Sequence, residues 1–593
     1  MSYMITPYSW WLAGLMLLSA TPLLAQPEYR VHSHNDYLQE VPFWLAYSGG
    51  AASIEVDLVL QNDTLYVAHA PQEIDPTVTF SNTYLEELAR LAERGQLRPV
   101  RLLIDLKTEA YATLDRVVTA ITKYPRLTRN DRVTFIISGN RPPPEDYPNY
   151  PDFISFDHQN LDDLDRLDFT KVAMISQSFR RYSVWNGYGR MTARDQVRVD
   201  SVIRRAQSTG VPFRFWATPD TRTAWASFAR LGLDYINTDR PTAARAFLDQ
   251  LHRNTYVADR PVTPYVPRYE FDASASPRNV ILMIGDGNGL AQISAARMAN
   301  GGQLSLTSIN HIGLVSTAAA DDPVTDSAAA GTAMATGVKT NNRAIGVDTA
   351  GQPLRSIVEL LGAHDYRTGI ITTDGIAGAT PAAFYAHTPE RDDSGKILED
   401  LVRSNLSFFI SGGQSLEKAV ATHFTTTTLD RFEILDRPLA VLNGTDKMPA
   451  VAHGRGAFLP ESVAKALSVL GKDERPFFLL IEGAQIDNGG HANDISTIIT
   501  EVLDFDRAVG EALRFADADG ETLVIITADH ETGGLGIAGG STAGEVRADF
   551  LSADHSGTMV PLFAYGPGAR NFTGVFENTE IFHRIVTALG IPK

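Results

Sequence analysis

The chain reads as an α/β protein carrying two folds in series, a (β/α)8 barrel of the TIM type and, after it, an open, mainly parallel α/β sheet. Two observations predict this. Between Tyr29 and Leu251, short apolar segments alternate with helical or loop segments, the pattern of parallel β/α units. In the second half, three longer apolar runs each end in acidic residues, and continuous apolar runs are characteristic of strands buried on both faces of a parallel sheet. A chain of 593 residues has room for both folds.

Composition narrows the function. Lys and Arg number 52 against 70 Asp and Glu, a formal charge of −18, which argues against nucleic acid or an anionic membrane surface as partner. The absence of cysteine excludes disulfides, thiolate metal sites and a cysteine nucleophile. Trp10 to Ala25 (WWLAGLMLLSATPLLA) is a short apolar run ending on a small residue and reads as a secretory signal spanning 1–25, although its leading segment carries no Lys or Arg. No later segment is apolar enough to span a bilayer. The mature chain is therefore expected to be exported, periplasmic or extracellular, without an integral membrane span.

The barrel, 26–252, is expected to use strands Tyr29–His34, Ser53–Leu58, Val100–Leu106, Arg132–Ser138, Phe153–Phe156, Val172–Ser176, Pro212–Ala217 and Asp234–Thr238. The Pro-rich stretch Arg141 to Pro151 replaces one helix by a loop. Polar groups gather near the carboxyl ends of the early strands, where such barrels carry their sites: His32 and His34 in VHSHNDY, Glu55 and Asp57 in SIEVDL, His69 in YVAH, Asp105 and Lys107 in LLIDLK. Alternate residues share a strand face. Three converging carboxylates, Glu55, Asp57 and Asp105, suit Ca²⁺ or Mg²⁺, and histidines beside such an ion make an acid/base pair for phosphodiester cleavage. These motifs, with YINTDRP in the last strand, resemble the glycerophosphodiester phosphodiesterase and phosphatidylinositol phospholipase C superfamily. The usual His-Arg-Gly start is replaced by His34-Asn35-Asp36. The resemblance implies Glu55, Asp57 and Asp105 as metal ligands and His34 and His69 as catalytic. The alternative is a barrel that serves only as a binding module.

Residues 253–278 contain Pro261, Pro264, Pro267 and Pro277 and read as an interdomain linker, leaving 279–593 for the second domain. There, NVILMIGDG leads to Asp286, PFFLLIEGAQID to Glu482 and Asp487, and TLVIITADH to Asp529 and His530. Ligands of open α/β sheets bind at the carboxyl ends of strands, so these acids point to one crevice. His491 follows Asp487 by one helical turn and His555 lies in DHSG. Histidine and carboxylate without thiolate favour catalytic Zn²⁺. Asp326-Ser327 opens an Ala-rich helix, whose first turn offers N–H groups and a positive dipole end to an anion.

With GDGNG, TDSAAAGTAMATGVKT, GATPAAFYAHTPER, IEGAQIDNGGHAND, TADHETGG and DHSG in that order, the second half resembles the alkaline phosphatase family. The resemblance implies an α/β/α sandwich with a mainly parallel sheet, and a metal-dependent phosphomonoester hydrolase working through a phosphoserine at Ser327. It implies two Zn²⁺, one on Asp487, His491 and His555 and one on Asp286, Asp529 and His530, and one Mg²⁺ on Asp286, Thr380 and Glu482. Arg391 would grip the phosphate as a planar fork, with Asn488 beside the substrate. Two positions depart from the family: Gly378 stands where relatives carry Asp or His, and Asn488 where they often carry Lys, His or Trp. Expected partners are small phosphate esters and a second copy of the chain as homodimer; the alternative function is a phosphodiesterase of the same superfamily.

Overall fold

The computed structural model describes residues 29–433, 437–444, 446–541 and 544–592; the expected signal segment 1–25 lies outside them. The chain divides into two compact units, one ending at His252 and the other beginning at Arg253.

In the first unit, parallel strands follow one another in the order Phe213–Trp216, Val172–Ser178, Ile154–His158, Val133–Gly139, Val100–Leu106, Ser53–Gln61, Val31–Ser33 and Ile236–Thr238. A bridge between Arg214 and Tyr235 joins the two ends, giving the nearly closed eight-stranded barrel expected. An added antiparallel strand, Thr64–Val67, folds back on Ser53–Gln61, and the Pro-rich stretch forms a 3-10 turn at Pro144–Asn149. Strand alternation divides the interior into two layers. Leu103, Ile136 and Met174 pack with Tyr235 as an apolar floor, and two residues further on along the same strands Asp105, Ser138 and Ser176 form a polar upper layer. The outer faces pack against the helices in one large core.

The second unit is built on a ten-stranded sheet whose central run is Arg367–Gly375, Phe477–Gly483, Asn279–Gly285 and Thr522–Thr527, all parallel. Val560–Tyr565 runs antiparallel to both its neighbours. Alternate residues of the central strands enter different cores: Val280, Leu282, Phe478, Leu480, Leu523 and Ile525 on one side, Ile281, Met283, Leu479, Ile481, Val524 and Ile526 on the other. Each face is thus covered, which is why these strands are apolar throughout rather than alternating. The acid-bearing strands are immediate neighbours, so their carboxyl ends open at one place.

The segment expected as a linker belongs to the second unit. Thr255–Val257 pairs with Glu545–Asp549, and further along buried Asp517 accepts from the Tyr265 hydroxyl at 2.6 Å and the Arg268 amide at 3.0 Å. Tyr565 donates to the same carboxylate and accepts from the Tyr269 amide at 2.8 Å. Proline content signalled a chain without regular structure, but not that tyrosines between the prolines would anchor it. Replacing Asp517 by Ala leaves several donors unmet, and we expect a loss of about 2–4 kcal/mol in urea unfolding of the second unit, with faster proteolysis within 258–278.

Candidate functional site

The helix Ser327–Thr336 is wholly buried and starts on Asp326, whose Oδ1 accepts from the Ala329 amide at 2.9 Å. Its small residues permit a close neighbour: a Cβ on Gly331 would lie 2.9 Å from the Ala383 methyl. Ser327 is therefore presented from a rigid support, 5% exposed, with Oγ 3.3 Å from His530 Nε2.

Around it, Asp286, Asp529 and His530 bring donor atoms within 4.8 Å of one another, and Asp487, His491 and His555 do the same. Asp529 is aimed by the amides of Gly287 and His530, which donate to its Oδ1 at 3.1 and 2.9 Å. Gly287 has φ +71°, and a Cβ there would sit 2.8 Å from both the Asp487 Cα and the Thr532 hydroxyl, so the turn admits only glycine. Asp487 and His491 share the helix Gln485–His491, as their spacing predicts. A two-residue strand pairing, Thr532 opposite His555, sets His555 over His530 with ring centroids 3.6 Å apart.

Each histidine is oriented through Nδ1. His491 Nδ1 lies 2.7 Å from the Ala553 carbonyl, His555 Nδ1 2.8 Å from the Thr325 carbonyl, and His530 Nδ1 3.1 Å from the Thr532 hydroxyl, which itself donates to Asp487 at 2.5 Å. With Nδ1 donating, the neutral form of each imidazole presents Nε2 to the centre as an acceptor, the tautomer a metal ligand requires. His491 and His555 place these atoms 3.2 Å apart, a contact that needs a proton or a cation between them.

The electrostatics point the same way. Asp286 Oδ1 and Asp529 Oδ2 are buried without a hydrogen-bond partner. Burial, reinforced by Asp529, Asp487 and Glu482, pushes the Asp286 carboxyl well above the usual range. Burial and then Asp374 push Glu482 up to about 8. Its hydrogen bond to Asp487 raises His491 to about 9, whereas burial lowers His530. Asp487 is opposed by burial but held low by His491 and His530. Several buried carboxylates share one crevice, and their partners there are imidazoles, hydroxyls and the backbone amides that hold Asp529. Glu482 accepts from Thr372, and Thr380 Oγ1 lies 3.5 Å from Asp286 Oδ2.

Arg391 donates to Asp326 Oδ2 at 2.9 Å. Arg343, not singled out from the sequence, gives its backbone N–H to the same oxygen at 3.1 Å, and its guanidinium pairs with Glu390 and Asp392 on either side of Arg391. Asn488 is exposed and donates to Gln485 at 2.9 Å.

The barrel gathers the remaining candidates. Glu55, Asp57 and Asp105 form the third group with donor atoms within 4.8 Å. His69 Nδ1 lies 2.8 Å from Asp57 and His34 Nδ1 2.7 Å from Asp239. Two cations stand among the acids: Lys107, 3.0 Å from Asp57 and 3.3 Å from Asp105, and Arg214, 2.8 Å from Glu55. Asp57 Oδ1 stays buried and unpaired. Burial raises Asp105 to about 6 against the pull of Lys107; burial and Arg214 depress buried His32 to about 3. Burial opposes the protonation of His34, yet Asp239 raises it overall. Arg214 was missed, although an arginine inside the apolar run PFRFWA was a visible signal.

Comparison with known proteins agrees with this division. The alkaline phosphatase family model matches residues 277–406, 395–549 and 545–591. An AIM6-like phosphodiesterase domain matches 26–100, and the glycerophosphoryl diester phosphodiesterase family matches 212–242. Alkaline phosphatase 4 of Bacillus subtilis is 31% identical over 404 residues, 52% of this chain and 87% of the relative. Alkaline phosphatase of Escherichia fergusonii is 32% identical over 406 residues, 53% and 86%. The solved alkaline phosphatase of the Antarctic bacterium TAB5 is 40% identical with TM-score 0.51, covering 54% of this chain and all (100%) of that one.

A metal-free protein should register the raised groups as a pH dependence. Glu482, raised to about 8, and His491, raised to about 9, each contribute stability that is lost as pH rises through those values. His530, lowered from 6.5, adds no slope above that pH. The melting temperature of chelator-treated protein should therefore fall between pH 6.5 and 9, and zinc with magnesium should flatten that slope.

Proposed function

The chain belongs to the alkaline phosphatase family through residues 277–591, and on that footing we propose that its second unit hydrolyses phosphate monoesters through a phosphoserine at Ser327. It is a hydrolase of the alkaline phosphatase superfamily with an additional phosphodiesterase-like domain. The observation that carries the finer reading is the unpaired buried oxygens of Asp286 and Asp529 beside Ser327. That donor set, with Nε2 lone pairs converging from His491, His530 and His555, fits divalent zinc. Asp487, His491 and His555 would hold one ion, Asp286, Asp529 and His530 a second, and Asp286, Thr380 and Glu482 a magnesium. Bound there, these ions would supply Lewis acidity, lowering hydroxyl pKa values and offsetting charge on a departing alkoxide.

The side chains do the rest. Arg391, anchored on Asp326 by one donor, holds nonbridging phosphate oxygens with the others, which favours the doubly charged monoester over a diester. Ser327 Oγ attacks phosphorus as the ester P–O bond breaks; the alcohol leaves and the phosphoryl group stays on Ser327. The positive end of the buried helix stabilises the added charge by up to about 2 kcal/mol. Water then attacks the phosphoserine, releasing inorganic phosphate and restoring the hydroxyl.

For the barrel, the reading is a phosphodiesterase with Ca²⁺ or Mg²⁺ on Glu55, Asp57 and Asp105 and His34 with His69 as the acid/base pair. Lys107 and Arg214 already balance two of the three carboxylate charges, so a cation is held more weakly there than in the second unit. The product of a diesterase is a monoester, the substrate class of the second unit. The apolar run Trp10 to Ala25 makes export part of the same proposal, checked by sequencing the N-terminus of the mature protein.

Assays with p-nitrophenyl phosphate and its bis-ester test both readings. Ser327→Ala should lower monoester turnover by several orders of magnitude and abolish phosphoserine trapped at low pH. Arg391→Lys should raise KM about 10- to 100-fold, the worth of one or two charge-assisted hydrogen bonds. His34→Ala should remove diester cleavage by the barrel while monoester hydrolysis persists. Unchanged turnover of Ser327→Ala would overturn the nucleophile assignment.

A further inference from the structure

The crevice contains one acid that neither the sequence motifs nor the two zinc groups account for. Asp374 lies at the carboxyl end of the strand Arg367–Gly375, and its amide donates to the Thr372 hydroxyl at 2.8 Å. That hydroxyl donates in turn to Glu482, whose own strand pairs with Thr372 in register. Thr372 thus links the Asp374 backbone to the Glu482 carboxylate, and after burial Asp374 is the charge that raises Glu482 most.

Gly378 explains how it fits. A Cβ built on Gly378 would overlap Asp374 Oδ2 and lie 3.0 Å from its Cγ. An acidic or imidazole side chain at 378 and the Asp374 carboxylate in its present place therefore exclude each other. The position at which relatives carry Asp or His is empty of side chain here, and an acid four residues earlier occupies that space. Burial raises the Asp374 carboxyl, against a backbone hydrogen bond at Gly375 and the charges of Lys447 and Arg391.

We propose that Asp374 is the positioning residue of the third cation site, its carboxylate holding a water of a magnesium ion carried by Asp286, Thr380 and Glu482, in the role that a side chain at 378 would otherwise fill. The inference rests on the phosphatase reading. Contact through water suits magnesium, which keeps several waters when bound by few protein oxygens. A hard, oxygen-only surrounding of Asp, Thr and Glu suits that ion better than zinc.

The test is magnesium titration by calorimetry into the full-length, zinc-loaded protein, with zinc content measured on the same samples. Asp374→Ala should weaken magnesium binding at least about 10-fold, the usual cost of losing an outer-sphere partner, with zinc content unchanged. Gly378→Asp alone should also weaken it, because the new side chain meets Asp374. The double variant Asp374→Ala/Gly378→Asp should recover binding, which a merely structural role for Asp374 would not produce. Asp374→Asn, which keeps the shape and removes the charge, serves if the alanine variant does not fold. Wild-type magnesium affinity in Asp374→Ala or Asp374→Asn, or a double variant no tighter than Asp374→Ala, overturns the assignment of Asp374 alone. A wild-type chain that takes up neither zinc nor magnesium overturns the phosphatase reading together with it.

Discussion

Negative charge crowded into a buried crevice is the constraint on which the second unit depends. Parallel pairing of three neighbouring strands brings Asp286, Glu482 and Asp529 to the same end of the sheet, where each is under 10% exposed. Carboxylates so placed cost several kcal/mol each unless they are protonated or paired, and the upward displacement of Asp286 and Glu482 expresses that cost. Amides, hydroxyls and imidazoles relieve it only in part, and the Arg391 guanidinium is bonded to Asp326 instead. The fold instead adds acceptors: three histidines, each turned by a bond at Nδ1 so that Nε2 faces inward. A site that concentrates more anions and acceptors than its own donors can satisfy is suited to cations from outside the chain.

The barrel meets a similar problem differently. Glu55, Asp57 and Asp105 also converge at strand ends, but Lys107 directly follows the strand of Asp105 and Arg214 comes from another strand of the barrel. The positive charge is supplied by the chain itself, at the cost of competing with any ion. Both units therefore follow the rule that parallel strands carry chemistry at their carboxyl ends, and they diverge in how far the neighbouring side chains neutralise it.

This difference also explains what was legible in the sequence. Strand positions and the acids ending them were readable because a buried parallel strand must be apolar along its length and can turn polar only where it leaves the sheet; Val100–Leu106 and Asn279–Gly285 show this plainly. Asp487 and His491 were readable because one helical turn separates them. The groups that orient the site were not. The carbonyls of Thr325 and Ala553 can belong to any residue type, so no composition or spacing marks them. Arg214, Arg343 and Asp374 act across distances that only the fold closes. The segment 253–278 was misread because proline reports the lack of regular backbone hydrogen bonding, whereas its attachment depends on Tyr265, Tyr269 and the distant acceptor Asp517.

Asp326 shows how the proposed nucleophile, Ser327, and the proposed phosphate grip, Arg391, stay in register. One oxygen of its carboxylate caps the helix that carries Ser327, and the other takes the Arg391 guanidinium and the Arg343 amide. The Arg343 side chain in turn pins Glu390 and Asp392, the residues flanking Arg391. A displacement of the arginine loop would therefore break the helix cap, and fraying of the helix start would release the arginine. The dipole of the buried helix is worth at most about 2 kcal/mol to a charged group, too little by itself to make a serine reactive. On the proposed mechanism, tying the helix of Ser327 and the Arg391 guanidinium to one carboxylate contributes through alignment, where an error of about 1 Å costs on the order of 100-fold in rate. Asp326 is thus less a helix cap than the joint between the two halves of the site.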